Sequence, residues 1–356
     1  MNPETMGEFD LIDQYFKRPE RADARRALVA LGIGDDCALL QPRPNTQLAI
    51  SSDMLVQGCH FFADVDPAAL GHKALAVNLS DLAACGAQPI AFTLALALPD
   101  VNQPWLAAFS QGLFALADAH GCELIGGDTT RGPLNICITI FGEVPMVDGQ
   151  SQALLRGGAT VGDDIYVSGS LGEARLALEV LRGNVSLHGE ACEDYFAILR
   201  QRLERPTPRV ALGLGLRGIA TSAIDVSDGL LGDLGHILKR SKVGARIEVS
   251  AFKSMKIVAK TLYNTEARGQ NNLKNAEKQR FGPEIDPLEY LFSGGDDYEL
   301  AFTAPATARA AVQAASIKAT TPVTRMGRIE SKAGLRLVDA DGVLVENRWV
   351  SFDHFA

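Results

Sequence analysis

Five aspartate motifs follow glycine or serine in this chain: Gly34-Asp-Asp36, Ser51-Ser-Asp53, Ser80-Asp81, Gly127-Asp128 and Asp225-Val-Ser-Asp228. Several close short apolar runs that read as strands, namely Gln47–Asp53, Ala74–Asp81 and Glu123–Asp128. A strand end delivers a short carboxylate to one edge of a sheet, and a small neighbour lets a large anion approach the backbone. Carboxylates gathered there repel one another unless hard cations stand between them. Mg²⁺ suits such a place, because it takes one or two carboxylates and completes its shell with water and substrate phosphates. Each motif alone reads equally well as a turn or an N-cap. Gly162-Asp-Asp164, ahead of the expected strand Asp164–Ser168, is read as such a turn. The number of motifs, with two of them repeated, favours a multi-metal phosphate site.

Other chemistries lack their residues. There is no Gly-Lys-Ser/Thr of a P-loop, and no His-Arg-Asp or Asp-Phe-Gly kinase signature. Gly213-Leu-Gly-Leu-Arg-Gly218 spells G-x-G-x-x-G but follows a helix-like run rather than a strand, so it reads as a loop. The six histidines show no metal-binding spacing, and only His60, near Asp53, is placed to touch a ligand. Six scattered cysteines without a Cys-x-x-Cys pair read as buried free thiols rather than a zinc site or disulfide framework.

The elements that must carry these residues follow from composition and periodicity. At 356 residues with 47% hydrophobic and 22% charged, the chain has material for two cores. The expected domains are 1–148 and 149–356, with a seam in the Pro/Gly-bearing stretch from Pro145 to Gly158. Trp105–His120 and Gly172–Arg182 carry helical patterns. The order Ser-Asp then Gly-Gly-Asp occurs twice, at Asp81 and Asp128 and again at Asp228 and Asp296, and reads as a duplication. Lys253–Gly282, with seven Lys/Arg against two Glu, reads as a solvated insertion in the second half. The net charge of −9 argues against a nucleic-acid or anionic-membrane partner. A polar, acidic start and no apolar run of membrane-spanning length imply a cytoplasmic protein.

Gly32-Ile-Gly-Asp-Asp-Cys-Ala38, Ser51-Ser-Asp53, Asn78-Leu-Ser-Asp-Leu-Ala-Ala-Cys-Gly-Ala87, Leu124-Ile-Gly-Gly-Asp-Thr-Thr-Arg-Gly132, Ile224-Asp-Val-Ser-Asp-Gly-Leu230 and Ser293-Gly-Gly-Asp-Asp-Tyr-Glu-Leu300 together resemble the bacterial thiamine-monophosphate kinases. The resemblance runs from Gly7-Glu-Phe9 to Phe352-Asp-His-Phe355. It implies an α/β fold of α+β layers, the two-domain fold of aminoimidazole-ribotide synthetase, dimerised through N-terminal sheets. It implies in-line phosphoryl transfer from ATP to thiamine monophosphate, giving thiamine diphosphate. By position it implies Mg²⁺ ligands at Asp36, Ser51, Ser52, Asp53, Asp81, Asp128, Asp225 and Asp228, with Asp53, Asp128 and Asp228 central to catalysis. Gly127, Asp128, Arg156 and Ser227 match nucleotide-contacting positions, and His60, Asp296 and Phe352 match positions that hold the thiamine moiety.

Two departures stand out: the basic insertion, and Asp296 where the family commonly has Glu. Phe352 as a core aromatic, His60 as a capped surface residue and Arg156 as a solvated turn are the plainer readings of those three. Two other functions compete: a synthetase of the same superfamily activating an amide or selenide, and a non-catalytic Ca²⁺-stabilised protein. The first would be expected to show a Cys-bearing N-terminal glycine loop in its selenide form, the second an Asp-x-Asp-x-Asp-Gly loop; neither is found in the sequence.

Overall fold

The computed structural model describes residues 7–18, 28–187, 192–254 and 287–349. Phe352 and nearly all of the expected insertion lie outside them. Two compact units result, one of residues 1–82 and 87–153, the other of residues 83–86 and 154–356.

Unit 1 contains α1 (Glu8–Tyr15), β1 (Val29–Leu31), β2 (Leu39–Leu40), β3 (Thr46–Val56), α2 (Pro67–Cys85), β4 (Gln88–Leu98), α3 (Gln103–His120), β5 (Glu123–Arg131), β6 (Asn135–Val147) and β7 (Gln150–Ser151). Its main sheet has the order β3-β6-β4-β5, with β4 and β5 parallel and the other pairs antiparallel. The parallel pair needs a crossover, and α3 supplies it. The start of α3 is fixed by Asn102, whose side chain accepts the Trp105 N–H at 3.1 Å, and its end by Gly121 in the left-handed region. Leu106, Phe109, Leu113 and Leu116 of α3 are buried with Leu75, Leu79 and Leu82 of α2 and the alternating Ile136, Ile138 and Ile140 of β6. Helices α2 and α3 meet backbone to backbone: a Cβ on Gly71 would lie 2.1 Å from the Phe109 carbonyl, and one on Gly112 would lie 1.9 Å from that of Ala68.

Unit 2 contains β8 (Asp164–Ser168), α4 (Glu173–Leu181), α5 (Cys192–Glu204), α6 (Val210–Gly215), β9 (Ser222–Val226), α7 (Leu230–Ser241), β10 (Gly244–Glu248), α8 (Pro287–Ser293), β11 (Glu299–Ala304), α9 (Arg309–Lys318), β12 (Val323–Glu330), β13 (Gly334–Val338) and β14 (Leu344–Val345). Its sheet has the order β14-β13-β10-β12-β8-β11-β9. Strands β8 and β11 and the edge strand β9 are buried at every position. That is why each reads as a continuous apolar run with isolated acids.

Several expectations are met and several are corrected. The strand Asp164–Ser168 and the helices over Trp105–His120 and Gly172–Arg182 are present, and Gly162-Asp163 is a turn closed by the Asp163 carboxylate on the Thr160 N–H at 2.9 Å. Ala74–Asp81, expected as a strand, lies inside α2. Ala74 to Ser80 are all buried, and a run buried on every side carries no periodicity to separate helix from strand. The two Ser-Asp motifs therefore differ in context, since Asp81 sits on a helix and Asp228 follows a strand. The two Gly-Gly-Asp motifs differ likewise: Asp128 is inside β5, whereas Asp296 precedes β11. Asp53 is also within its strand, three residues before the end of β3. Gly213–Gly218 opens in helix α6 rather than lying wholly in a loop. Among the cysteines read as buried, Cys122 is buried, whereas Cys37 and Cys59 are exposed.

Candidate active site

In unit 1, β3 is an edge strand, so every second backbone N–H points away from the sheet. At Asp53 that N–H is taken by the Asn78 side-chain carbonyl of α2 at 3.2 Å, while the Asn78 amide donates to the Ala74 carbonyl at 3.0 Å. One helical turn on, Asp81 accepts a short hydrogen bond from the Ser51 hydroxyl. Helix α2 thereby sets Ser51, Asp53 and Asp81 together. Burial raises the Asp53 carboxyl from 3.8 to about 7, and the Asp81 charge and the hydrogen bond between the two acids add to it. Ser52 alternates to the other side of β3, where its hydroxyl meets Thr139 Oγ1 at 3.0 Å and the Ile138 carbonyl at 3.2 Å. His60 closes the turn after β3, its Nδ1 accepting the Val56 N–H at 3.0 Å.

A second group of acids lies toward the opposite edge of the same sheet. Asp53 stands opposite Ile138, Ile138 opposite Leu94, and Leu94 opposite Gly127. Three inter-strand steps separate Asp53 from Gly127, about 14 Å along the sheet. At Gly127 the backbone has φ +145°, and a Cβ would lie 1.8 Å from the Leu94 carbonyl, so only glycine fits. A register shift between β4 and β5 lies two residues before it, at Ile125. Gly127 and Asp128 line a cavity of about 710 Å³ together with Asp35 and Asp36, under a wall formed by α1.

In unit 2 the turn after β9 carries Ser227 and Asp228. Asp233, one turn into α7, accepts the N–H groups of Ser227, Asp228 and Gly229 at 3.1, 3.1 and 3.2 Å. Burial raises the Asp233 carboxyl to about 7 against the pull of these bonds. Asp296 is brought beside the same turn, its N–H donating to the Ser227 carbonyl at 2.8 Å. Asp296 and Tyr298 both have positive φ, 64° and 52°, a conformation that non-glycine residues adopt at a cost. The segment is pinned from within: buried Asp297 accepts the Gly172 N–H, and Glu299 takes Arg202 at 2.8 Å, Arg209 at 2.6 Å and the Ser168 hydroxyl at 2.6 Å. Burial alone would raise Glu299, but the two guanidiniums hold it below its usual range. Asp225 is buried in β9.

Arg156 stands apart from Ser227 within this unit. The Ser241 hydroxyl at the end of α7 donates to the Arg156 carbonyl at 3.4 Å and accepts the Gly158 and Ala159 N–H groups at 3.1 Å. Ser227 precedes the start of α7, whose 12 residues span about 18 Å. Arg156 shares its concavity with His236, Lys239, Arg240 and Lys242.

The donor set tests whether Mg²⁺ fits. Among the described residues no three His, Cys, Asp or Glu side chains form a metal-sized group. Two neighbouring carboxylates with a hydroxyl beside them match an ion that uses one or two carboxylates and takes its remaining oxygens from water and phosphate. The residues fit. Asn78 opens the quoted Asn78–Ala87 motif but was given no role, and Asp233 belongs to none of the motifs. Their only sequence signal is position, one helical turn from Asp81 and an acid in the first turn of α7.

The family descriptions "AIR synthase related protein, N-terminal domain" and "C-terminal domain" match residues 34–144 and 160–340. The thiamine-monophosphate kinase of Salmonella typhimurium is 45% identical over 351 residues, covering 98% of each chain. A crystal structure of thiamine-monophosphate kinase from Stenotrophomonas maltophilia K279a is 46% identical, covers 90% of this chain and 95% of that one, and superposes with a TM-score of 0.72. A structure of AaThiL complexed with AMPPCP and TMP is 28% identical, covers 88% and 89%, and superposes with a TM-score of 0.68. Both halves match one family in order, and near-complete relatives share almost half their residues with it: this chain belongs to the thiamine-monophosphate kinase family of AIR synthase related proteins.

Proposed function

We propose that the chain transfers the terminal phosphoryl group of ATP to the phosphate of thiamine monophosphate, yielding ADP and thiamine diphosphate. The observation that carries the mechanism is the Asp53–Asp81 pair, two carboxylates brought side by side, with the Ser51 hydroxyl donating to Asp81. An acceptor phosphate oxygen is already anionic, so no strong general base is required, and positioning with charge stabilisation suffices. Mg²⁺, when bound, would neutralise the facing phosphates. In unit 1, Asp53, Asp81 and Ser51 would hold it at one edge of the sheet and Asp36 and Asp128 toward the other. Spread-out carboxylates suit a triphosphate aligned with an acceptor phosphate better than a single triad would. Gly127 exposes backbone to the nucleotide where any Cβ would be excluded.

In unit 2, Asp228 and Asp225 are the corresponding acids, and Ser227 offers a nucleotide contact. Asp296 places a carboxylate where a thiazolium cation would be attracted, and His60 is the acceptor-side residue of unit 1. Arg156 is proposed as a contact for nucleotide phosphate in its own basic concavity. Ser52 and Phe352 keep only the roles that the resemblance implies. The acting form is proposed to be a cytoplasmic homodimer.

The test is purified protein with ATP, Mg²⁺ and thiamine monophosphate, with product masses read out. Thiamine diphosphate and ADP are expected. Asp53→Asn and Asp128→Asn should each lower kcat by about a hundredfold or more while circular dichroism stays unchanged. Near-normal turnover in both variants would sink the metal-site reading, and ATP hydrolysis without a phosphorylated thiamine product would favour a synthetase activating another small molecule.

A further inference from the structure

Three acids stand at the entrance to β11, and the fold gives them different surroundings. Asp297 and Glu299 are buried inside unit 2, whereas Asp296 and Tyr298 stay partly exposed. The segment is stitched to the end of β9 by two backbone bonds, Asp296 N–H to the Ser227 carbonyl and Tyr298 N–H to the Val226 carbonyl, each at 2.8 Å. Beneath it, Arg202 continues from Glu299 to Glu173 at 3.0 Å and to the Ser170 carbonyl at 3.2 Å. Gly169 leaves room for Glu299, since a Cβ there would lie 2.0 Å from its Oε1. Strand β11 is already paired with β8 on one side and β9 on the other, so the sheet itself does not call for positive φ at Asp296 and Tyr298. Backbone strain of this kind persists only where the surroundings over-determine it, and the buried acids do so here. Its effect is visible at the side chains. In an extended strand the side chains stand roughly perpendicular to the sheet, and those two residues apart lie side by side, about 7 Å from each other. Here the Tyr298 hydroxyl instead turns back and donates to Asp296 Oδ1 at 3.3 Å.

We propose that Tyr298 is a positioning residue for the acceptor substrate, its hydroxyl orienting the Asp296 carboxylate toward the thiazolium cation. A bond to one carboxylate oxygen fixes the plane in which the other is offered. A quaternary thiazolium nitrogen carries no N–H that could draw the carboxylate into line, so that alignment falls to the protein. The attraction is then coulombic and is strongest when the carboxylate is held close in a partly buried place. This role rests on the reading of Asp296 given above as the carboxylate that meets the thiazolium.

Tyr298→Phe, Asp296→Asn and the double variant test it in the full chain with ATP and Mg²⁺. Phenylalanine keeps the ring, so the comparison isolates the hydroxyl from any contact of the ring with a cation. Tyr298→Phe should raise the KM for thiamine monophosphate about fivefold and leave the KM for ATP unchanged. In the double variant the loss should equal that of Asp296→Asn alone, because the hydroxyl acts only through the carboxylate. Thermal melting of Tyr298→Phe should match that of the unsubstituted protein; a merely structural role would shift the melting and both KM values together. An unchanged KM for thiamine monophosphate in Tyr298→Phe or in Asp296→Asn, or losses that add in the double variant, overturns the proposal while leaving the kinase reading intact. Calorimetric titration with thiamine monophosphate makes the same comparison without turnover. If that binding depends on Tyr298 through Asp296 but no thiamine diphosphate forms, the positioning role stands and the kinase reading falls.

Discussion

At the residue scale, the pairing of Asp53 with Asp81 ties stability, pH and metal together. A carboxyl raised from 3.8 to about 7 on folding binds its proton more tightly in the folded than in the unfolded chain. Its contribution to stability is therefore full below about pH 4 and is lost as pH rises toward 7, the reverse of a salt-bridged aspartate. In metal-free protein the urea midpoint should fall across that window, and Asp53→Asn should remove the part of the slope that belongs to the pair. Asp233 adds a slope of the same sign, so a residual slope is expected in the variant. Because Mg²⁺ needs the charged forms, its binding below pH 7 should release a proton, measurable by calorimetry in buffers of different ionisation enthalpy. Proton-neutral binding at pH 6 would contradict a raised Asp53 carboxyl. Asp53 and Asp81 were legible because an acid after a small residue is a visible motif. Asn78 was not, since its function is to meet a backbone N–H that becomes free only when β3 is an edge strand.

At the scale of elements, helix α3 announced itself through the helical spacing of its apolar residues from Trp105 to His120, and strand β8 through a short apolar run after a turn. Helix α2 did not, because full burial erased the periodicity on which such readings depend. What the sequence also concealed is how closely α2 and α3 approach. Glycine in a helix interior usually costs about 1 kcal/mol relative to alanine. Gly112→Ala would by that rule stabilise α3, yet its Cβ would sit 1.9 Å from the Ala68 carbonyl. Overpacking of that kind costs about 1–3 kcal/mol and falls on backbone that has little room to move, so the clash should win. Gly235 in α7 has no atom within 4 Å of its virtual Cβ and serves as the control. Thermal melting should show Gly112→Ala lowered by several degrees and Gly235→Ala unchanged or raised. Equal shifts in both would mean that propensity, rather than helix contact, governs the site.

At the scale of the whole molecule, two domains were readable from length and the fold class from the family resemblance of the motifs, but the surface the sheet of unit 1 leaves open was not. In β3 the residues alternate between a side carrying Ser51, Asp53 and buried Leu55 and a side where Leu48, Ile50 and Met54 are 41%, 60% and 53% exposed. β6 repeats the alternation, with Ile136, Ile138 and Ile140 buried and Cys137, Thr139 and Phe141 half-buried between them. In a chain of net charge −9, this face carries apolar and hydroxyl side chains and no carboxylate from β3. A second copy presenting the same face would cover it, and a two-fold axis makes such a patch self-complementary. Ile50→Lys places one charge per copy at the most exposed of these positions, so a dimer would bring two uncompensated charges together in a desolvated contact. Light scattering after gel filtration should give twice the chain mass for the unsubstituted protein and a shift toward a single chain for Ile50→Lys, with circular dichroism unchanged because the side chain leaves the monomer core untouched. A monomeric unsubstituted protein at micromolar concentration, or a dimer indifferent to this lysine, would place the contact elsewhere.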